Sequence, residues 1–220
     1  MKDVVIFGAG QIAEVVHFYL THDSEFRVSA FTVDAAYLKD TTFLGLPVVP
    51  FEEIQAQYPP SRYGLFVAVS YKGVNRLRAE KVSAAEAKGY QLISYVSSKA
   101  TVWPGLSVGD NTFVMENNVI QPAVKIGKNV IMWSGNHIGH HTTINDHCFI
   151  ASHAVISGSV TIGEYSFIGV NATIRDNITI GKSCVIGAGT LILHSTKDFE
   201  VYIGQQTEPS KVPSNRLRGI

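Results

Sequence analysis

Ile162-Gly163-Glu164-Tyr165-Ser166-Phe167 and, further on, Ile186-Gly187-Ala188-Gly189-Thr190-Leu191 are two copies of one six-residue unit, and that unit decides the fold. Counting outward in steps of six gives Val96, Val102, Val108, Val114, Ile120, Ile126, Met132, Ile138, Ile144, Ile150, Ile156, Ile162, Ile168, Ile174, Ile180 and Ile186, sixteen aliphatic residues without an insertion. Two places before the aliphatic a small residue recurs, as in Ala100, Thr112, Thr142, Cys148, Ala154, Ser166, Ala172 and Cys184. Immediately after it comes glycine at 109, 127, 139, 163, 169, 181 and 187. Residues two apart share one face of a strand, so the small residue and the aliphatic both point inward, and the glycine is expected to permit a corner. Three such units close a triangular coil of 18 residues, and the sixteen make a little over five coils. One coil cannot bury its own aliphatics; stacking makes a continuous core. The turn signals that a β-sandwich needs at intervals of about 8–12 residues are absent.

Before this repeat the pattern is different. Residues 4–7, 26–33, 65–69 and 92–95 read as strands, and residues 11–20 and 74–88 as amphipathic helices, the second ended by Gly89. Ile12, Val15, Val16 and Tyr19 mark the apolar face of the first helix. Alternation of this kind predicts a small, mostly parallel α/β sheet. The expected organisation is a Rossmann-like α/β unit over 1–95, an all-β parallel β-helix over 96–193 and a tail over 194–220.

Composition narrows the function classes. Lys and Arg number 18, as do Asp and Glu, so the formal net charge is zero and no nucleic-acid partner is expected. No run of 18 apolar residues offers a membrane span. Met1 leads almost at once into the strand-like Val4-Val5-Ile6-Phe7, which does not read as a signal peptide, and only Cys148 and Cys184 occur; a cytoplasmic setting is expected. The two cysteines lie two coils apart in one column, roughly 9–10 Å, too far for a disulfide.

The repeats resemble those of the hexapeptide acyltransferases, and that resemblance implies a left-handed β-helix. Joined to Val5-Ile6-Phe7-Gly8-Ala9-Gly10, they resemble more narrowly the bacterial sugar acetyltransferases of the sialic acid O-acetyltransferase and bacillosamine N-acetyltransferase group, over essentially the whole chain. The resemblance implies a homotrimer whose α/β unit holds a nucleoside-diphosphate sugar and whose β-helix holds acetyl-CoA. The implied reaction is N-acetylation of an amino-deoxysugar for surface-polysaccharide or other glycan synthesis. Sugar O-acetylation, or a non-catalytic nucleotide- or NAD-binding β-helix protein, stands as the alternative.

Gly8-Ala9-Gly10-Gln11-Ile12-Ala13 fits G-x-G-x-x-G/A between a strand and a helix, and Asp34 follows where a ribose-binding acid would fall. That motif taken literally is an NAD site. The unit is short for one, lacking a second mononucleotide half, and its glycines would admit any diphosphate to a helix N-terminus. The resemblance implies Gly8, Gly10 and Gln11 at the phosphates and Asp34 near the base or ribose. Ser70, Tyr71, Lys72 and Asn75, with Arg76 and Arg78, follow a strand at the sheet edge where ligands sit, and complete the expected nucleotide-sugar site.

Five of the eight histidines, at 137, 140, 141, 147 and 153, fall in one stretch, which raises a metal site. Zinc carbonic anhydrases built on this coil resemble a pattern of two histidines five apart with a third 36 residues earlier. No two of these five are five apart, and Thr101, Pro104, Gly105 and Asn117 stand 36 before His137, His140, His141 and His153, so no metal is expected. Acid–base chemistry suits them better: acyl transfer to an amine or hydroxyl needs a base, for which imidazole is apt near neutral pH, and donors for an oxyanion. The resemblance places the base at His140 and the oxyanion donor at Gly158, 18 residues on. Where the family has a glutamate orienting the imidazole this chain has His141, with Asp146 or Asn136 as substitutes. His137 and His147 read as polar corner residues.

The coenzyme is expected against Gly158, Gly169, Gly187, Ala188 and Lys211, with Arg216 and Arg218 as further cations for its phosphates. Val201-Tyr202-Ile203-Gly204 resembles the family's closing segment, although Gln205-Gln206-Thr207-Glu208 separates it from Pro209. Trp103, Trp133 and Phe149, apolar and expected to point outward, supply an interface between copies.

Overall fold

The computed structural model describes residues 2–216. Its first half is a five-stranded sheet. In chain order the elements are β1 (Lys2–Phe7), α1 (Gln11–His22), β2 (Phe26–Val33), β3 (Thr42–Phe43), β4 (Leu46–Pro50), α2 (Ile54–Gln57), β5 (Gly64–Val67) and α3 (Arg76–Ala87). The strand order is β3-β4-β2-β1-β5, with every pair parallel except β3–β4. Alternation along β1 explains the layers. Val4 and Ile6 pack with Ala13, Val16 and Leu20 of α1, while Val5 and Phe7 pack on the other side with Ile54, Val82 and Ala85 of α2 and α3. The expected strand at 92–95 is divided. Leu92 makes a single bridge to Leu65, and Tyr95–Val96 pairs instead with Phe113–Val114, the start of the second half.

That second half is a three-faced prism of two-residue strands. One face carries Tyr95–Val96, Phe113–Val114, Ile131–Met132, Phe149–Ile150, Phe167–Ile168, Val185–Ile186 and Val201–Tyr202, and is called here the docking face. The leading flank runs from Ser107–Val108 to Thr179–Ile180, and the trailing flank from Val119–Ile120 to Leu191–Ile192. Strands pair in parallel with the one 18 residues on, as in Ile126 beside Ile144 and Ile144 beside Ile162, except that Val185–Ile186 pairs with Val201–Tyr202, 16 residues on. From Ile120 to Ile186 the repeat aliphatics are buried in one core, and Ile192 extends it by a position. The first coil is looser. Thr101 makes only an isolated bridge and Val102 is 39% exposed.

The repeat glycines are needed for a different reason than corner formation. The turn is made two residues later, by positive-φ residues such as Asn111, Asn129, Asn171 and Asn177, where asparagine is among the better non-glycine choices. The repeat glycines pack rung against rung: a Cβ on Gly163 would lie 2.5 Å from the carbonyl carbon of Gly181.

The docking face is where the two halves meet. Phe113, Met115, Ile131 and Phe149, which point out of the prism, are buried with α1 and the sheet. Phe149 is therefore 3% exposed, and Trp133 is half-buried in the same cluster; of the three aromatics expected to face another copy only Trp103 is open, at 57%. The sequence pattern showed which residues point outward but not what covers them. Polar ties back this contact. The Asp23 carboxylate accepts from Tyr95 Oη at 2.5 Å, Ser97 Oγ at 2.9 Å and the Ser98 amide at 3.0 Å, and Tyr19 Oη donates to Glu116.

Candidate functional site

Two cavities open along the edge of the sheet where β1 and β5 end. The first, about 520 Å³, is lined by Gly8, Asp34, Tyr37, Lys72, Arg76 and Lys81 among others; the second, about 570 Å³, by Gln11, Ile12, Val15, Ser70, Tyr71, Lys72 and Trp133. Lys72 lines both, so they read as one cleft. Here β1 has β2 on one side and β5 on the other, the strand arrangement that opens a crevice at the carboxyl ends.

Gly8 has φ +126°, and a Cβ there would lie 2.8 Å from the Ala68 carbonyl oxygen, so glycine is needed by the backbone. Gly10 is different: a Cβ there meets nothing within 4 Å. It stands at the N-cap of α1, which has no side-chain cap, so its missing side chain leaves amide groups open to the cleft. Lys81 Nζ donates to Asp34 Oδ1 at 3.1 Å and lies 2.9 Å from Oδ2. Burial alone would push this ammonium down, but the Asp34 hydrogen bond and charge, with Glu80, carry it above the ordinary lysine value.

Of the residues expected on the nucleotide sugar, Gly8, Gln11, Asp34, Ser70 and Tyr71 line the cleft, while Gly10 lines neither lobe and stands next to Gln11 at the start of α1. Asn75 does not join them. It is fully buried, and its Nδ2 donates to the Tyr165 and Ser166 carbonyl oxygens at 3.1 and 3.3 Å. Arg78, also expected toward the nucleotide, is fully buried against the prism as well. Its place on the stripe Arg78, Val82, Ala85 of α3 was the available signal, since i, i+4, i+7 is one helix face.

His140 stands at the edge where the trailing flank turns into the leading flank. The prism has three faces, so this is the edge opposite the docking face. Within one chain, therefore, His140 and the cleft lie on opposite sides of the β-helix. The His140 amide donates to Gln121 Oε1 at 2.8 Å, and its Nδ1 lies 3.1 Å from Nδ1 of His141. One of these two nitrogens carries the hydrogen. A Cβ on Gly158 would lie 2.7 Å from His140 Cε1, so the space at this glycine is filled by the imidazole. Among the described residues the Gly158 amide meets no acceptor.

Asp146 and Asn136 are not partners of His140. Asp146 lies at the edge between leading flank and docking face, where Oδ1 accepts from the Lys128 amide at 2.9 Å. Asn136 is buried at the third edge, bonded to Asn118, Trp133 and Ala154. His147, read as a polar corner residue facing outward, is instead buried. Its Nδ1 lies 2.9 Å from Asn129 Nδ2, its ring is 4.7 Å from that of Tyr165, and burial pushes its pKa down. Gly169, Gly187 and Ala188 sit together at the edge between docking face and trailing flank. The space at Gly187 is taken by the Tyr202 carbonyl oxygen, 2.7 Å from a Cβ built there. Lys211 is exposed, and Arg218 lies outside the described residues. No helix among the described residues is long and apolar enough to cross a membrane.

Residues 159–194 match the family model of the bacterial transferase hexapeptide, six repeats. Repeat, fold and structural neighbours together give this chain the architecture of the hexapeptide sugar acetyltransferases. Among solved structures it is similar to a histidine-to-asparagine variant of perosamine N-acetyltransferase from Caulobacter crescentus in complex with CoA and GDP-perosamine, with 28% identity, 93% of this chain and 94% of the other covered, and a TM-score of 0.82. It is also similar to the acetyltransferase domain of PglB from Neisseria gonorrhoeae, at 27% identity over 96% and 100% of the two chains with a TM-score of 0.79; that domain is also known in complex with acetyl coenzyme A. WeeI from Acinetobacter baumannii, at 21% identity, 92% and 97% coverage and a TM-score of 0.78, shares the fold. No curated protein matches the chain by sequence.

Proposed function

We propose that the protein transfers the acetyl group of acetyl-CoA to the amino group of a nucleotide-linked sugar. The observation that carries this is His140, lying over Gly158 with Nδ1 against a second imidazole. The perosamine and PglB neighbours support it, with CoA, GDP-perosamine and acetyl coenzyme A in their complexes. For His140 Nε2 to act as base it must be unprotonated. Nδ1–H then donates to His141 Nδ1, and His141 takes the place of an orienting carboxylate. His140 accepts the proton from the amine as nitrogen attacks the thioester carbon, and the Gly158 amide donates to the carbonyl oxygen as it gains charge. The bond to sulfur then breaks, and the proton held by His140 passes to the leaving sulfur, so that CoA departs as the thiol.

The opposed placement of His140 and the cleft supports a homotrimer in which the cleft of one copy meets the His140 edge of the next. The trailing flank supplies exposed apolar residues for such contact, Val119 at 39%, Val155 at 42% and Leu191 at 62%. Coenzyme in this reading runs along that flank, from Gly158 at one edge to Gly169, Gly187 and Ala188 at the other, with Lys211 at its phosphates. The same reading takes the α/β unit as Rossmann-like, the coil as left-handed, and the setting as cytoplasmic synthesis of a surface glycan.

Incubation with acetyl-CoA and a panel of amino-sugar nucleotides, with free thiol followed, tests the reaction. Thiol release with no member of the panel, or tighter binding of NAD than of any nucleoside diphosphate, rejects it. A monomer by mass measurement at micromolar concentration rejects the shared site.

A further inference from the structure

The loop from Ser70 to Asn75 forms one wall of the cleft and joins its two lobes, yet it has an unusual backbone. Gly73, Val74 and Asn75 are consecutive residues with φ of +63°, +51° and +65°. A β-branched side chain such as Val74 is a genuine outlier there, and such a shape persists only where its surroundings over-determine it. The surroundings here belong to the β-helix.

Arg78 is the centre of that support. Its guanidinium is completely buried, no carboxylate among the described residues pairs with it, and burial lowers its pKa to about 9. Nε donates to Asn129 Oδ1 at 2.9 Å, and Nη2 donates to the carbonyl oxygens of Asn129, His147 and Cys148 at 3.1, 3.3 and 3.0 Å. Nη1 points the other way, donating to Asn75 Oδ1 at 3.1 Å and to the Ser70 carbonyl oxygen at 3.5 Å. Asn75 also donates to the carbonyls of Tyr165 and Ser166. The Tyr71 ring, within the same loop, lies 5.0 Å from Phe149 and 4.9 Å from Phe167. Both ends of the loop and its aromatic are thus fastened to the prism. A buried guanidinium needs its donors satisfied, and a planar fork serves six acceptors on two elements in a way that an ammonium cannot.

We propose that Arg78 and Asn75 are positioning residues for the nucleotide sugar. They touch no ligand, but through them the β-helix holds loop 70–75 in its strained, binding-competent shape. This rests on the reading of the cleft as the nucleotide-sugar site. Affinity for the nucleotide is then set by side chains that line neither lobe's ligand surface.

Calorimetry on the intact protein tests this, with GDP, UDP and dTDP as probes and CoA as control. Asn75→Gly separates the two explanations, because glycine is relaxed at positive φ. If the backbone shape alone mattered, glycine would bind nucleotide as well as asparagine does. The proposal expects the preferred nucleoside diphosphate to bind about tenfold more weakly or worse in Asn75→Gly, with CoA affinity within about twofold of wild type. Arg78→Lys is expected to fail in the same selective way, since the ammonium replaces the charge and not the fork. Wild-type nucleotide affinity in Asn75→Gly overturns the proposal. Equal weakening of nucleotide and CoA with a fall in Tm also overturns it, because that marks a merely structural role. If wild type binds CoA but none of the three nucleotides, the reading of the cleft fails first, and the proposal with it.

Discussion

The cleft and the His140 edge are built on opposite kinds of backbone. In the β-helix rung follows rung at 18 residues, and His140 occupies the ordinary third place of a six-residue unit that begins with Ile138, one rung from Gly158. Its chemistry comes from side-chain identity on a regular frame. In the α/β half nothing repeats. Gly8, Asp34 and the Ser70–Asn75 loop converge only because β1, β2 and β5 lie side by side, and the loop keeps its shape only with help from the other half. A periodic scaffold can therefore hold His140 in place rung by rung, with the positive-φ corner residue His141 beside it, whereas the irregular site depends on contacts far along the chain.

The largest effect expected from that contrast is chemical and local. His140→Ala should lower kcat by roughly 10²–10⁴-fold while Tm stays near wild type, because the side chain is exposed and carries none of the core. His141→Ala should cost distinctly less, and His141→Glu should recover most of the loss. A dead His141→Ala beside a normal His140→Ala would move the base by one residue.

Next comes the scaffold. Ile144 is fully buried between Ile126 and Ile162, so Ile144→Ala should destabilise by about 2–5 kcal/mol, read from denaturant unfolding. Because each rung leans only on its neighbours, proteolytic protection should fall first near that rung; uniform loss across the chain would contradict the picture.

Smaller, pH-dependent effects belong to the junction. Burial lowers the folded pKa of His147 below its unfolded value of about 6.5. As pH falls through that unfolded value the unfolded chain takes up a proton that the native chain refuses, so stability declines until the lower folded pKa is reached. His147→Gln should flatten the slope of Tm between about pH 7 and 5. Asp23 acts at more acid pH. Hydrogen bonds from Ser98, then Tyr95 and Ser97, hold its carboxyl well below the usual range. The stability it contributes is present above the unfolded carboxylate pKa and is lost as pH falls through the folded one, and Asp23→Asn should blunt that acid loss.

The pattern from Val96 to Ile186 announced the β-helix and its 18-residue coil, its aliphatic column is buried from Val114 on, and the two cysteines are free and buried as their spacing requires. Tyr95 was assigned to the wrong half because a strand's partner is not written in its own residues. His147 reads as a polar corner, yet one edge of the prism is covered by α3, and its side chain is buried there beside that of Asn129.

What the sequence determined alone is local and periodic: which residues point into the prism, where glycine must stand, and that a glycine turn joins β1 to α1. These follow from strand alternation and steric exclusion, which act over a few residues at a time. Only the tertiary structure decided which face of the prism is covered, that Arg78 and Asn75 serve the junction between the halves, and that His140 stands on the edge away from the cleft. Those outcomes depend on how the surfaces of the two halves meet. That meeting is set by the shape and apolar area of Phe113, Met115, Ile131 and Phe149 against α1 and the sheet, a complementarity that no spacing within the chain records.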